Sequence, residues 1–362
     1  MNSREVLTDR IFAMFALGAI GDALGAPVEM MSAEAIAKRY GWLKAFVERK
    51  EHKFGPIAKG ETTDDTQLKL AIARSIARMR GIDHGDIAKE HIAEMRKVTR
   101  GWGGSTRQAV ERLFEGVHWS ASGSTPDTPS DKRGKGNGVA MKIDPVGAYY
   151  ALRGVDPMMN WEHRAAVRDI ALMTHASAMG VASGLAQVAA VRYLLGTTVV
   201  NSEEFAERVT SAAFSGERVF MPITALDERV DEMMDAGLLG GRILSTAAFD
   251  DDRLSERFRL LGSVTRETSD ETLRSTFGNG ACYVYESLPL AYALFLRKPD
   301  SVEALYDAVN FGGDTDTVAS IVGSLLGAYN GSAIIPWELW ADIDRQEEID
   351  ATVDEFVRAL TV

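Results

Sequence analysis

The sequence predicts an all-α fold, in a single domain over residues 1–362. Three observations carry that reading. Apolar residues recur at helical spacing from end to end, alternating runs of β-branched residues are nearly absent, and glycines recur at three- and four-residue spacing inside the helical runs. Val6, Phe12, Phe15 and Ala19 line one face of a first helix, which Pro27 ends. Leu68, Ile72 and Ile76 repeat at i, i+4 in a second, stopped at Gly81. Further helices are predicted over 84–97, 161–173, 179–195, 202–214 and 223–239, and then over 281–296, 302–310, 315–328 and 347–360. The stretch 197–200 is too short to anchor a sheet. Residues 120–137 read as a long loop, and the highly charged 250–270 as a surface excursion. Neither has the look of an interdomain linker.

A glycine inside a helix costs up to ~1 kcal/mol relative to alanine. The chain has 33 of them, and Gly18, Gly21, Gly25, Gly180, Gly184, Gly323 and Gly327 all fall within predicted helices. Such repetition points to helix backbones that cross at close range, or to backbone approached by a ligand.

Composition narrows the function. An apolar fraction of 46% with 25% charged residues is that of a globular protein, not of a disordered or collagen-like chain. The formal net charge of −12 gives no global attraction to nucleic acid or anionic lipid, so any phosphate must be held by a local site. Cys282 stands alone, which excludes an intramolecular disulfide framework and a thiolate metal cage, and it reads as a buried small hydrophobe. Arg4, Glu5, Asp9 and Arg10 interrupt the first residues, so no signal peptide is expected. The apolar stretch 318–335, broken by Ser320, Ser324, Asn330 and Ser332, reads as a buried helix and not a membrane span. A cytoplasmic protein is the expectation.

The strongest chemical signal is a pair of near-repeats. Thr62-Thr63-Asp64-Asp65-Thr66 and Gly313-Asp314-Thr315-Asp316-Thr317 each stand at the start of a helical run. Taken singly, each is an ordinary helix cap. Taken together they could bring Asp64, Asp65, Asp314 and Asp316 into one cavity, where four like charges need compensation. Two divalent cations would supply it. Carboxylates and threonine hydroxyls without His or Cys suit Mg²⁺ or Mn²⁺ rather than Zn²⁺.

Glycine-rich turns form a second signal. Gly134-Lys135-Gly136-Asn137-Gly138 precedes Val139–Lys142, a segment that could open a helix, and reads either as a diphosphate cradle or as a flexible connection. It is neither a Walker A loop nor a Rossmann turn. Gly278-Asn279-Gly280 is expected to enter a helix in the same way, and Gly101-Trp102-Gly103-Gly104 is a third such turn. Glu29, placed on a loop by Pro27, reads from its surroundings as a solvated glutamate. His175, at a helix start, reads as a hydrogen-bonded structural histidine.

The ordered set of these motifs resembles the ADP-ribosylglycohydrolase family. It runs from Gly18, Gly21-Asp22, Gly25, Pro27 and Glu29 through Thr63-Asp64-Asp65-Thr66, Gly136-Asn137-Gly138 and Thr174-His175. It ends with Gly312-Gly313-Asp314-Thr315-Asp316-Thr317 and Gly323…Gly327, so the similarity spans about residues 10–332. The resemblance implies an all-α fold with a dinuclear Mg²⁺ or Mn²⁺ centre, ligated by Thr63, Asp64, Asp65, Asp314, Asp316 and Thr317. It implies that Glu29 lies over the metals and yields to substrate, and that Lys135, Gly136, Asn137 and Gly138 hold the diphosphate and adenosine part, with His175 near the ligand. Gly278, Asn279 and Gly280 resemble the branch that acts on ADP-ribosylserine. Lys142 stands where many members have arginine.

The activity implied by the resemblance is cleavage of the C1″ glycosidic bond between ADP-ribose and a protein side chain, arginine or serine. Glu29 and Asp65 are then the candidates for acid–base assistance. The implied partners are an ADP-ribosylated protein, free ADP-ribose as product, and for an immunity-type member an ADP-ribosyltransferase toxin. The rival expectation is a catalytically inactive member that binds ADP-ribose or has a structural role.

Overall fold

The computed structural model describes residues 3–51, 55–97, 101–123, 134–219 and 252–361. It is all-α. Among the described residues, sheet is confined to the two-residue strands Met31–Ser32 and Gly312–Gly313, paired antiparallel with Met31 opposite Gly313. The long helices stand close to where periodicity puts them: Ser3–Gly25, Asp64–Met79, His84–Lys97, Trp161–Leu172, Ala178–Gly196, Ser202–Val219, Val284–Arg297, Glu303–Phe311, Thr315–Asn330 and Gln346–Thr361. The helix expected at 223–239 and residues 124–133 of the expected loop lie outside the described residues.

The core is organised around one crossing. From Ile11 onward the Ser3–Gly25 helix is buried almost all round, as is Thr315–Asn330, which is why neither stretch has a polar stripe. A Cβ added at Gly21 would fall within 3.0 Å of Ala319 O, one at Gly25 within 3.0 Å of Thr315 O, one at Gly323 within 3.0 Å of Leu17 O and one at Gly327 within 3.0 Å of Ala13 O. The two backbones therefore touch along their length, and only glycine fits at the contacts. The intrinsic helix penalty of these glycines is offset by packing that any side chain would abolish. Gly18 does a different job: a Cβ there would stand 2.9 Å from Lys69 Nζ, so its bareness leaves room for a buried ammonium. Arg4–Val28 and Ala178–Gly196 are long and apolar enough to cross a membrane, yet 94% and 83% of their apolar windows are buried within the fold.

Shorter helices escape the periodicity reading. Ala33–Tyr40 and Asp270–Phe277 start at serine caps, Ser32 accepting from Ala35 N and Ser269 from Thr272 N, and each is too brief to display a repeating apolar face. Gly104–Phe114, Trp119–Ser122, Asp144–Leu152, Leu254–Arg259 and Trp337–Ala341 complete the set. The 252–270 part of the expected surface excursion is a correction. Leu254, Phe258, Leu261 and Val264 are buried there, with the Phe258 ring 5.2 Å from Tyr292, while Glu256 and Arg259 between them are exposed. High charge density concealed a four-residue apolar anchor.

Candidate metal centre

The glycine crossing sets the site. Thr315 Oγ1 donates to Gly25 O at 2.8 Å, so the C-terminus of the first helix lies against the start of the Thr315–Asn330 helix. One turn before Gly25, Asp22 is fully buried and reaches sideways to a third helix. Its carboxylate accepts from Thr63 Oγ1 at 2.7 Å, Thr66 Oγ1 at 2.6 Å, and the backbone N–H groups of Thr63 and Thr66 at 2.9 and 3.1 Å. These bonds cap the Asp64–Met79 helix from outside its own chain segment. The sequence reading includes Asp22 in its Gly21-Asp22 motif but gives it no role. One signal is available to find it: the one carboxylate in the otherwise apolar stretch 11–25 of the helix.

Past Gly25 the chain makes a 3-10 turn over Ala26–Val28 and delivers Glu29. Glu29 is buried and not solvated, which corrects the reading from its surroundings. Its backbone is pinned. Arg49 donates to Pro27 O at 2.9 Å and to Glu29 O at 3.4 Å, and Met30, at φ 63°, donates its N–H to Gly313 O at 2.7 Å. Gly312 and Gly313 both sit at φ 87°, and a Cβ on Gly313 would strike Asn279 O and Gly280 O. This tight passage lets Asp314 N donate to Gly280 O at 2.7 Å while Asp314 becomes the cap residue of the following helix.

Thr63, Asp64, Asp65, Asp314, Asp316 and Thr317 are all buried. The two near-repeats meet where Thr317 Oγ1 donates to Asp65 Oδ2 at 3.1 Å. Gly103 N donates to Asp64 Oδ2 at 3.4 Å, and Thr317 N to Asp316 Oδ1 at 2.9 Å. Asn137 Nδ2 donates to Asp314 Oδ2 at 2.6 Å. Burial pushes the carboxyl groups of Asp64, Asp65 and Asp316 well above the ordinary range. Neighbouring carboxylates push the same way: Asp22 foremost for Asp64 and Asp65, Asp314 and Glu29 for Asp316. The buried cation nearest in sequence, Lys69, is engaged with Asp144 at 2.7 Å and Ser324 Oγ at 2.7 Å, and offsets only part of this charge. Asp65 Oδ1 is buried with no hydrogen-bond partner. An orphaned carboxylate oxygen among acids and hydroxyls is a donor set that fits a hard divalent cation.

Cys282 also needs correcting. It is an exposed residue, not a core hydrophobe, and its sulfur turns toward the acids. Ligand atoms of Glu29, Cys282 and Asp314 all lie within 4.8 Å of one another. Desolvation of the thiol, then the charges of Asp314, Asp316 and Glu29, push it up, so it is a neutral thiol rather than a thiolate.

The glycine turn stands beside these acids. Gly136 bridges to Tyr283, Val284 N donates to Lys135 O at 2.9 Å, and Asn137 N donates to Cys282 O at 3.1 Å. Asn137 thereby joins the turn to Asp314. No helix opens at Val139: residues 139–142 form turns, and the next helix begins at Asp144. The cradle therefore offers backbone groups without a helix dipole behind them. His175 packs directly on it, with its ring within 3.3 Å of the positions a Cβ would take on Gly136 and Gly138. Gly278 closes the Asp270–Phe277 helix instead of opening one, because φ 93° suits a C-cap, and Asn279 N is held by Glu286 Oε2 at 3.1 Å. Of this turn, Gly280 reaches the acids through its carbonyl, which accepts from Asp314 N. Gly101 packs on Thr63, and Trp102 Nε1 donates to Gln67 Oε1 at 2.9 Å, so the third turn supports the Asp64 helix.

A family model described as ADP-ribosylglycohydrolase matches residues 3–362. The chain belongs to the ADP-ribosylglycohydrolase family. It is 25% identical to the ADP-ribosylhydrolase ARH3 of Mus musculus, over 94% of this chain and 88% of that protein. It is 26% identical to the ADP-ribosyl-dinitrogen reductase glycohydrolase of Rhodospirillum rubrum, over 96% and 95%. A solved structure described as an ADP-ribosylglycohydrolase-related protein complex matches with a TM-score of 0.62 at 25% identity, over 99% of this chain and 100% of that one. Membership of the ADP-ribosylglycohydrolase family agrees with the all-α architecture built above from helix periodicity and the glycine crossing.

Proposed function

We propose that this chain is a divalent-metal-dependent hydrolase that removes ADP-ribose from a modified protein side chain by cleaving the C1″ glycosidic bond. The observation that carries the reading is the convergence of two helix starts on one buried acidic site, with an orphaned oxygen on Asp65. Thr63, Asp64, Asp65, Asp314, Asp316 and Thr317 would hold two Mg²⁺ or Mn²⁺. Such ions, when bound, supply Lewis acidity for the ribose hydroxyls and a water.

The chain's own groups divide the remaining work. Glu29, pinned through its backbone beside Asp314, would take or give a proton at the ribose. Asp65, with one carboxylate oxygen free of hydrogen bonds, is the second candidate for that role. Gly134–Gly138 and His175 would receive the diphosphate, with Asn137 keeping that turn in register with Asp314. The substrate is then an ADP-ribosylated protein and the product free ADP-ribose.

The test is a release assay on proteins modified at arginine, at serine and at other acceptors, with Mg²⁺ or Mn²⁺ supplied. Asp314→Ala and Asp316→Ala should abolish both cation binding and ADP-ribose release. Full activity of either variant after chelation would overturn the reading. No turnover on any acceptor, together with tight ADP-ribose binding, would favour a binding member instead.

A further inference from the structure

Behind the glycine turn, two buried polar groups that the proposed chemistry does not use, Lys142 and Thr174, stand in line with His175. Lys142 is fully buried, and its Nζ stands 2.8 Å from Thr174 Oγ1. The same oxygen stands 3.0 Å from His175 Nδ1. Thr174 and His175 are themselves buried. No carboxylate pairs with Lys142 among the described residues. Its partner is the threonine hydroxyl, and one hydroxyl serves both neighbours.

Proton accounting fixes the direction of these bonds. Burial lowers the Lys142 pKa to about 7 while the Asp64 charge raises it; in its ammonium form Lys142 has donors and no acceptor, so it must donate to Thr174 Oγ1. Thr174 then has a single proton to place, and His175 Nδ1 is the acceptor within reach among the described residues. If Nδ1 accepts, a neutral imidazole has its proton on Nε2. The ring is neutral: burial, then the Lys142 charge, lowers the His175 pKa to about 3. Its Nε2 faces the cradle, 3.1 Å from where a Cβ would stand on Gly138 and 3.3 Å from the same point on Gly136. Space there exists because both positions are glycine.

We propose that Lys142 and Thr174 are positioning residues that hold His175 in its Nε2–H form, so that the ring presents a neutral hydrogen-bond donor to an anionic phosphate oxygen seated in the Gly134–Gly138 turn. This rests on the reading of that turn as the diphosphate subsite. The arrangement lets a buried cation strengthen a contact to an anion that it does not touch. It also leaves no charge on the histidine to be desolvated when the ligand is absent.

The test reads the proton itself. Imidazole ¹⁵N shifts of His175 in the full-length protein should report the Nε2–H form. Thr174→Val, which keeps the shape and removes the hydroxyl, should mix or invert the two forms, and Thr174→Ser should restore the original. Calorimetry with ADP-ribose should find about tenfold weaker binding in Thr174→Val than in wild type, the loss expected for one misdirected hydrogen bond to a charged group. The thermal shift produced by Mg²⁺ should be the same in both, which separates a positioning defect from unfolding. An Nδ1–H ring in the wild type, or an Nε2–H ring that Thr174→Val leaves untouched, overturns the relay. A wild-type protein that holds the Nε2–H form yet binds no ADP-ribose overturns the diphosphate reading instead, and with it the phosphate role given to His175.

Discussion

The two acidic near-repeats look interchangeable in the sequence and are built in opposite ways. Thr63–Thr66 is held from outside, by the Asp22 carboxylate that accepts from two backbone N–H groups and two hydroxyls. Gly313–Thr317 is held through its own backbone, by a left-handed passage at Gly312 and Gly313, a strand pair to Met31–Ser32, and Asp314 N donating to Gly280 O. One half of the site depends on a side-chain clamp and the other on backbone that only glycine can follow. The same composition thus conceals different sensitivities to substitution.

The largest effect that would sharpen this contrast is at Gly313. Replacement by alanine adds a left-handed penalty to a collision with Asn279 O and Gly280 O, so Gly313→Ala should cost about 4 kcal/mol in urea denaturation. It should also remove the Mg²⁺-induced thermal shift. Asp22→Ala comes next. It strands buried donors on Thr63 and Thr66 and should cost about 3 kcal/mol, with weakened Mg²⁺ binding in a titration. Were Asp22→Ala as stable as wild type, the side-chain clamp would be no clamp at all.

A pH series probes both halves together. The carboxyl groups of Asp64, Asp65 and Asp316 are raised in the metal-free fold, so that fold binds more protons than the unfolded chain. Their contribution is intact below the unfolded carboxylate value of about 4 and is lost as the pH rises through the raised folded values. Chelated protein should therefore lose stability as the pH climbs above that point, and Mg²⁺ should restore it progressively more at higher pH. A denaturation midpoint that rises with pH in the chelated protein would contradict the charge crowding. The smallest effect belongs to Thr62, the position matching Gly313. It donates to Asp344 Oδ1 at 2.9 Å, and Thr62→Ala should cost about 1 kcal/mol with metal binding intact.

Much of this is legible in the chain. The long helices declare themselves because each buries a repeating face, and the paired Asp/Thr clusters stand out because their composition is improbable twice at helix starts. The glycines at 18, 21, 25, 323 and 327 announce a close approach, though not which helices approach. What stays hidden depends on neighbours distant in sequence. Glu29 is buried by contacts from Arg49 and Gly313, and Cys282 is drawn to the site by the turn at Asn137. Val139–Lys142 fails to become a helix because it sits between two tertiary anchors, Asn137 and the buried Lys142. Asp22 stays without a role in the sequence because the groups it clamps, on Thr63 and Thr66, lie 41 and 44 residues away.

The pinning of Glu29 has a consequence for tempo. With its carbonyl held by Arg49 and the next N–H held by Gly313, the backbone cannot carry the carboxylate away. Any departure to admit a ligand must be a rotation about the side-chain bonds. Such rotations take picoseconds to nanoseconds at exposed positions, while loop motions extend to microseconds. Even slowed by burial, a side-chain gate has ample time within a catalytic cycle of roughly 1–10³ per second. Under the proposed function, admission at Glu29 should therefore not set the pace.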